Sequence, residues 1–188
     1  MKIDGNAIRP GMVIEHKGDL WQAVKIQHTQ PGKGGAYLQV ELKGVRTGTK
    51  LNERFRSSET VERVRLDQRL FQYLYSENGL INLMDTKSYE QSSIPEALVG
   101  DALPFLQDGM AINIESYEGE AISASLPETV TLAIQETEPT VKGQTATSSF
   151  KPAMLENGVR SMVPPFVGIG ERILVNTSDG SYVRRAED

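Results

Sequence analysis

One internal repeat constrains this chain more than any other feature. Pro104-Phe105-Leu106-Gln107-Asp108-Gly109 is followed by Ile112, Ile114 and Gly119. Pro165-Phe166-Val167-Gly168-Ile169-Gly170 is followed by Ile173, Val175 and Gly180, each matched position offset by 61. A shared proline, phenylalanine, aliphatic residue and two glycines ten apart do not fall into register by accident. The chain therefore builds two copies of one unit of about 60 residues, each ending in a corresponding hairpin.

The pattern inside those units is β. Ile112 and Ile114 alternate with Asn113 and Glu115, and Leu38, Val40 and Leu42 alternate with Gln39, Glu41 and Lys43. A period of two places one set of side chains on one face of a strand. Asn78-Gly79, Glu118-Gly119 and Asp179-Gly180 stand between such runs and suit tight hairpins. Helix is scarce: Pro95-Glu-Ala-Leu-Val-Gly100 predicts one or two turns, with proline at the start and glycine at the end. Five strands with a short helical connection before the fourth describe the OB-fold, a Greek-key barrel.

These units occupy 64–127 and 128–188, leaving 1–63 as a third. It too reads as all-β, with strands expected at Met12–Ile14, Leu20–Ile26, Tyr37–Leu42 and Leu51–Arg56. Its length fits a small SH3-like barrel. The expectation is an all-β protein of three small barrels in series.

Charge separates the three units. Residues 1–63 carry 11 Lys/Arg against 7 Asp/Glu, 64–127 carry 3 against 10, and 128–188 carry 6 against 8. A basic first third on an acidic body orients a molecule toward polyanions at one end, although chance surface charge gives the same count. Zero cysteines exclude disulfides and a thiol nucleophile, and two histidines, His16 and His28, make a histidine-rich metal site an unlikely expectation. No apolar run reaches membrane-span length and the first residues lack a signal-peptide core, so a cytoplasmic protein is expected.

Two features of the first unit carry chemistry. In Thr29-Gln-Pro-Gly-Lys-Gly-Gly-Ala-Tyr37, a single cation stands between glycines at the predicted tip of a long hairpin. Pro31 stiffens the approach, while Gly32, Gly34 and Gly35 let a backbone come close to a ligand. A phosphate-binding loop of the nucleotidase kind needs Ser or Thr after the lysine and glycine five residues before the Gly-Lys pair. Gly34 and Gln27 stand there, so that reading is discarded. From spacing alone, Lys33 remains either a functional arm or a solvated hairpin lysine. Lys50, Asn52, Arg54 and Arg56 share one face of a strand, with Leu51 and Phe55 on the other. That row is either a phosphate-contacting stripe or a solvated face.

An enzyme is the rival from another class, with Glu118 and Glu120 as paired carboxylates. They flank a turn glycine, however, and no nucleophile, base and orienting group converge in the sequence. A non-translational RNA-binding module would explain the barrels and the basic first unit, but not a lone lysine between glycines.

The chain resembles the bacterial elongation factor P family, the homologues of eukaryotic initiation factor 5A, along essentially its full length. The resemblance rests on Pro31-Gly-Lys-Gly34 and on Arg46-Thr-Gly-Thr-Lys-Leu-Asn-Glu-Arg-Phe-Arg56. It continues through Lys151, Ala153, Gly158, Val163, Pro164, Val167 and Gly170. Ser161, where an aliphatic residue is usual, and Gln144, where many members have Asp, are departures.

The resemblance implies an L-shaped, tRNA-mimicking monomer that binds the 70S ribosome between the peptidyl and exit sites and relieves stalling at consecutive prolines. Its partners would be peptidyl-tRNA and rRNA, with no membrane and no cofactor. Lys33, in the loop Pro31, Gly32, Lys33, Gly34, Gly35, would reach the acceptor end of peptidyl-tRNA and carry a β-lysyl-type group installed by a lysine-modifying enzyme. Lys50, Arg54 and Arg56 would face RNA. Gly143, Gln144 and Thr145 would approach the small subunit, and Tyr182 and Arg185 the tRNA anticodon stem. Tyr182 also reads as a hairpin aromatic covering the barrel end. A paralogue of the factor, or another RNA-binding β-barrel protein, is the alternative; a departure at the loop lysine would have favoured the paralogue, and Lys33 is intact. On every one of these readings catalysis stays outside the chain, which is expected not to be an enzyme.

Overall fold

The computed structural model describes residues 1–140 and 149–187. Sixteen strands among them form three sheets. By contact the chain divides into two compact units, Met1–Gln68 with Glu115–Ser123, and Arg69–Ile114 with Ala124–Asp188.

The first sheet comprises β1 (Lys2–Asp4), β2 (Val13–His16), β3 (Asp19–Thr29), β4 (Tyr37–Gly44), β5 (Lys50–Arg56) and β6 (Thr60–Val64), ordered β1-β6-β2-β3-β4-β5. The four strands expected from the pattern are β2 to β5. The two short ones, β1 and β6, carry too few alternating residues to be read in advance, and pairing with each other and β2 makes them strands. Leu38, Val40 and Leu42 turn one face of β4 inward onto Ile8, Ile14, Ala23, Phe55 and Val61. Lys17 and Gly18 close β2 onto β3 with φ of 50° and 76°, the left-handed pair of a two-residue hairpin turn.

Gly5 shows how tightly this sheet closes. A Cβ there would stand 2.5 Å from the carbonyl oxygen of Arg56 and 3.0 Å from the Cβ of Phe55. Neither backbone can yield cheaply, so Gly5→Ala is expected to destabilise the N-terminal domain by about 1–3 kcal/mol. Urea unfolding followed by fluorescence of Trp21, which packs against this core, measures it. An unchanged midpoint would mean that the turn at Gly5–Ala7 shifts freely.

The second sheet contains β7 (Asp67–Glu77), β8 (Leu80–Asp85), β9 (Gln91–Pro95), β10 (Ala111–Tyr117) and β11 (Glu120–Ser125), ordered β11-β10-β7-β8-β9. The third contains β12 (Thr129–Thr137), β13 (Lys151–Leu155), β14 (Arg160–Val163), β15 (Arg172–Asn176) and β16 (Tyr182–Arg185), ordered β14-β13-β12-β15-β16. Both place their first strand centrally, between their second and fourth, which is the OB arrangement.

Matched hydrogen bonds make the repeat physical. Gly109 N donates to Tyr73 O at 3.0 Å and Tyr73 N to Met110 O at 2.8 Å. Sixty-one residues on, Gly170 N donates to Ile134 O at 2.9 Å and Ile134 N to Glu171 O at 2.9 Å. Gly109 and Gly170 have φ of 78° and 83°, a region that L side chains rarely enter, which explains why glycine recurs.

The two copies differ in three respects. Phe105 is buried, 3% exposed, whereas Phe166 is 54% exposed. The helical connection before the fourth strand exists only in the first copy, as two 3-10 turns, Glu96–Leu98 and Gly100–Phe105. A proline at 104 and the left-handed Gly100 suit such short turns better than a continuing α-helix. Of the expected hairpins, Asn78-Gly79 and Glu118-Gly119 are two-residue turns with positive φ at both positions. Asp179-Gly180 instead lies within a wider connection, 177–181, between β15 and β16.

Two apolar groups join elements distant in sequence. Ile122 and Tyr117, from the β10–β11 hairpin, pack with Val13, Leu20, Val45, Val64 and Leu66. Arg46 adds ion pairs to Asp19 at 3.4 Å and Glu120 at 3.5 Å. Within the other unit, Phe105 joins Val130, Leu132, Ile134, Leu155, Val163, Val167, Ile173 and Val175 in one core.

Candidate nucleic-acid interface

Lys33 stands in the connection between β3 and β4, exposed to solvent with Gly32, Gly34 and Gly35. Gly34 has φ of 115° and only Pro31 near it, with Pro31 Cγ 3.9 Å from where a Cβ would lie. Nothing lies within 4 Å of the corresponding points at Gly32 and Gly35. The lysine is thus presented on bare backbone, and it forms no ion pair with the described residues. Long paired strands support the tip, from Trp21 opposite Gly44 to Thr29 opposite Tyr37.

The basic row of β5 sits beside this tip. Lys50, Asn52, Arg54 and Arg56 are exposed and Phe55 is buried, as the alternation requires. Register places Arg56 opposite Tyr37, Arg54 opposite Gln39, Asn52 opposite Glu41 and Lys50 opposite Lys43. The Arg54 guanidinium lies over the Tyr37 ring, 4.7 Å from its centroid. Lys50 is partly neutralised by Glu41 at 3.9 Å.

Sequence reasoning missed two cations on this face, Lys43 and Lys25. Lys43 follows from alternation along β4. Lys25 does not, because a β-bulge between Ala23 and Lys25 shifts the pairing so that Lys25 opposes Glu41. One inserted residue reverses which side chains share a face. The outer face of β3–β4–β5 then carries Lys25, Lys43, Lys50, Arg54 and Arg56 with Glu41.

The inner face holds a different cluster. Glu53 meets Lys17 Nζ at 2.5 Å and His16 Nε2 at 3.6 Å. The Lys17 hydrogen bond holds its carboxyl below the usual range, against the opposing effect of burial. His16 packs edge-on against Phe55, with ring centroids 5.3 Å apart. This group fastens the β2–β3 turn to β5 and faces away from the basic surface.

In the C-terminal sheet, Tyr182 packs against the core and meets Phe150 edge-on, with ring centroids 6.1 Å apart. Arg185 bonds Phe166 O at 3.0 Å and Glu171 Oε1 at 3.3 Å, and lies 4.5 Å over the Phe166 ring. Both side chains are therefore engaged within the domain while remaining partly open to solvent. Gly143, Gln144 and Thr145 lie outside the described residues. Ser161 is buried and donates from Oγ to Gly180 O at 2.7 Å, which satisfies its hydroxyl at an otherwise apolar position. Lys151 is buried with its ammonium on Glu138 O at 2.7 Å, a structural role. Glu118 occupies a left-handed turn position and Glu120 is paired with Arg46. Among the described residues no three His, Cys, Asp or Glu side chains cluster as metal ligands, and no helix is long and apolar enough to cross a membrane.

Replacing Arg54 and Arg56 together with Gln is expected to weaken binding to a polyanion such as structured RNA and to lower the slope of log affinity against log salt by roughly 1–2, since fewer counterions are released. Sedimentation at several salt concentrations measures this. An unchanged slope would identify the row as a solvated face.

An SH3-like sheet bearing a glycine-lined cationic tip, followed by two OB-type sheets, defines a modular β-barrel protein. The family models agree module by module. The elongation factor P KOW-like domain matches residues 4–61, its OB domain 66–124 and its C-terminal domain 130–185. The chain is 63% identical over 187 residues to elongation factor P of Parvibaculum lavamentivorans, covering 100% of both chains. It is 60% identical over 185 residues to elongation factor P of a Ruegeria species, strain TM1040, covering 98% of this chain and 99% of that one. Among solved structures, eukaryotic translation initiation factor 5A from Methanococcus jannaschii shares the fold at 22% identity, with a TM-score of 0.55 over 68% of this chain and 92% of that one. The chain belongs to the elongation factor P family of translation factors.

Proposed function

We propose that this protein binds the ribosome between the peptidyl and exit sites and speeds peptide-bond formation at consecutive prolines, with Lys33 positioning the acceptor end of peptidyl-tRNA. The observation that carries this reading is the tip itself: a solvated cation, bare of neighbouring side chains, at the end of a long hairpin beside Arg54 and Arg56. Proline fixes φ and carries a secondary nitrogen, so Pro-Pro pairs reach attack geometry slowly. A group that holds the tRNA end in a productive pose contributes through orientation and needs no proton transfer of its own. A cation on a glycine stalk meets phosphates and 2′-hydroxyls without steric conflict. The chain acts in the cytoplasm as a monomer on this reading, and the ribosome supplies the catalysis. Tyr182, Arg185 and the segment Gly143, Gln144, Thr145 serve as the contacts to the tRNA stem and small subunit. Purified protein added to stalled ribosomes translating Pro-Pro-Pro tests the proposal: faster release of the stall supports it, and no effect on a modified sample overturns it.

The same reading extends Lys33 covalently by a β-lysyl-type group. An unmodified lysine reaches about 6 Å beyond its Cα, and a lysyl addition roughly doubles that while adding donors for RNA oxygens. The open space around Gly32 and Gly35 gives a modifying enzyme access to the amine. Peptide mass spectra of protein from its own host are expected to show the added mass on the Lys33 peptide. Full Pro-Pro activity with only the unmodified mass would reject the extension.

A further inference from the structure

We infer that a cleft at the end of the first sheet remote from Lys33, walled by the β10–β11 hairpin, binds a small carboxylic acid with a flat apolar body. The cleft lies wholly within the compact unit of Met1–Gln68 with Glu115–Ser123, and its assignment does not rest on the ribosomal role proposed above. Its volume is about 410 Å³, inside the range of about 300 to 1,000 Å³ that small ligands occupy.

Register builds the floor. Lys43 opposes Gln22, Gln22 opposes Val13 and Val13 opposes Val64, so these four side chains form one row across β4, β3, β2 and β6. Directly opposed residues share a face, and the row runs from a cation through an amide to two valines. All four line the cleft, with Arg65 and Leu66 from the segment after β6. Arg63 opposes Ile14, which places its side chain on the other face and leaves two cations here, Lys43 and Arg65.

Charge and hydrogen bonding decide what such a cleft accepts. Lys43 and Arg65 are exposed and form no ion pair with the described residues. Glu115, the one carboxylate in the wall, is already engaged: Ser123 Oγ donates to its Oε1 at 2.9 Å and Gln68 Nε2 to its Oε2 at 3.4 Å. It leaves both cations free for a ligand, while its own charge disfavours a dianion and so favours a carboxylate over a phosphate monoester. An arginine fork and a lysine together match one carboxylate head. Beside the head, Val13, Val64 and Leu66 give an apolar floor that packs with Ile122 and Tyr117 of the hairpin. A flat hydrocarbon body covers that floor and removes it from water.

The cleft is also held in shape before any ligand arrives. Gly11 N donates to Ala23 O and Ala23 N to Met12 O, both at 2.8 Å, and Val45 N donates to Leu20 O at 3.1 Å. These bonds fix the segments that frame the row, which lowers the ordering cost of binding.

The test uses the full chain and 2-naphthoate as the probe, followed by methyl NMR. As controls, 2-naphthylmethanol supplies the same body without charge, and acetate supplies the head without the body. 2-Naphthoate should shift the methyl resonances of Val13 and Val64 with saturation, and bind about tenfold more tightly than either control. Lys43→Gln with Arg65→Gln should weaken 2-naphthoate about tenfold while leaving 2-naphthylmethanol unchanged. Gln22→Trp, a large side chain at an exposed position, should fill the cleft and abolish binding of both. Thermal unfolding of each variant checks that the fold is kept; if Gln22→Trp unfolds, the charge variant decides alone. Shifts that bypass Val13 and Val64, equal affinity for 2-naphthoate and 2-naphthylmethanol, or an affinity unchanged in the charge variant would each overturn the assignment.

Discussion

Lys33→Ala is expected to abolish most of the stimulation of Pro-Pro-Pro synthesis while leaving stability within about 0.5 kcal/mol of the parent. The two halves of the prediction have different physical sources. Stability is insensitive because the side chain is exposed and forms no ion pair with the described residues, so truncation removes few contacts. Under the proposed role, function is expected to be sensitive because truncation removes the group that would orient the tRNA end. Lys33→Arg separates charge from identity. It keeps the cation but lacks the primary amine that a lysyl adduct requires, so it should recover at most the activity of unmodified protein. Translation of a Pro-Pro-Pro reporter, with thermal unfolding of the same samples, checks both halves. Full activity in Lys33→Ala would sink the positioning role. A large stability loss would instead show that the loop is part of the fold.

The second large effect lies in the C-terminal core. Phe105→Ala is expected to cost about 3–5 kcal/mol, the usual range for truncating a buried phenylalanine. Phe166→Ala, at the matched position of the repeat, should cost about 1 kcal/mol or less. Phe105 is flanked by core residues of β12, β13 and β15, and a Cβ on Gly180 would stand 3.2 Å from its Cζ. Asn157 Nδ2 on Pro104 O at 3.1 Å and Gln107 Nε2 on Thr131 O at 3.0 Å hold its connection in place. Phe166 covers no core and is stacked under Arg185 in solvent. Amide hydrogen exchange in β12 and β15 should accelerate roughly a hundredfold or more in Phe105→Ala, as that free energy implies, and little in Phe166→Ala. Equal costs at the two positions would mean that the copies are packed alike.

That contrast marks how far the sequence could be read. Alternation in Leu38-Gln-Val-Glu-Leu42, the turn glycines and the offset of 61 determined an all-β chain with a repeated unit, because period and left-handed turn positions are local properties of the backbone. The glycine-flanked Lys33 and the β5 row were legible for the same reason. Four features were not: the short strands β1 and β6, the inward turn of Phe105, the bulge that brings Lys25 onto the basic face, and the stacking of Arg54 on Tyr37. Each depends on a partner distant in the chain. β1 is a strand only because β6 lies beside it, and the Pro-Phe motif buries one phenylalanine and exposes the other because only the first meets a core built by another sheet. The sequence by itself therefore determined the longer alternating strands and where a cation is displayed. Tertiary structure alone decided which faces meet, since burial and cross-strand register are properties of pairs of segments and neither segment specifies them alone.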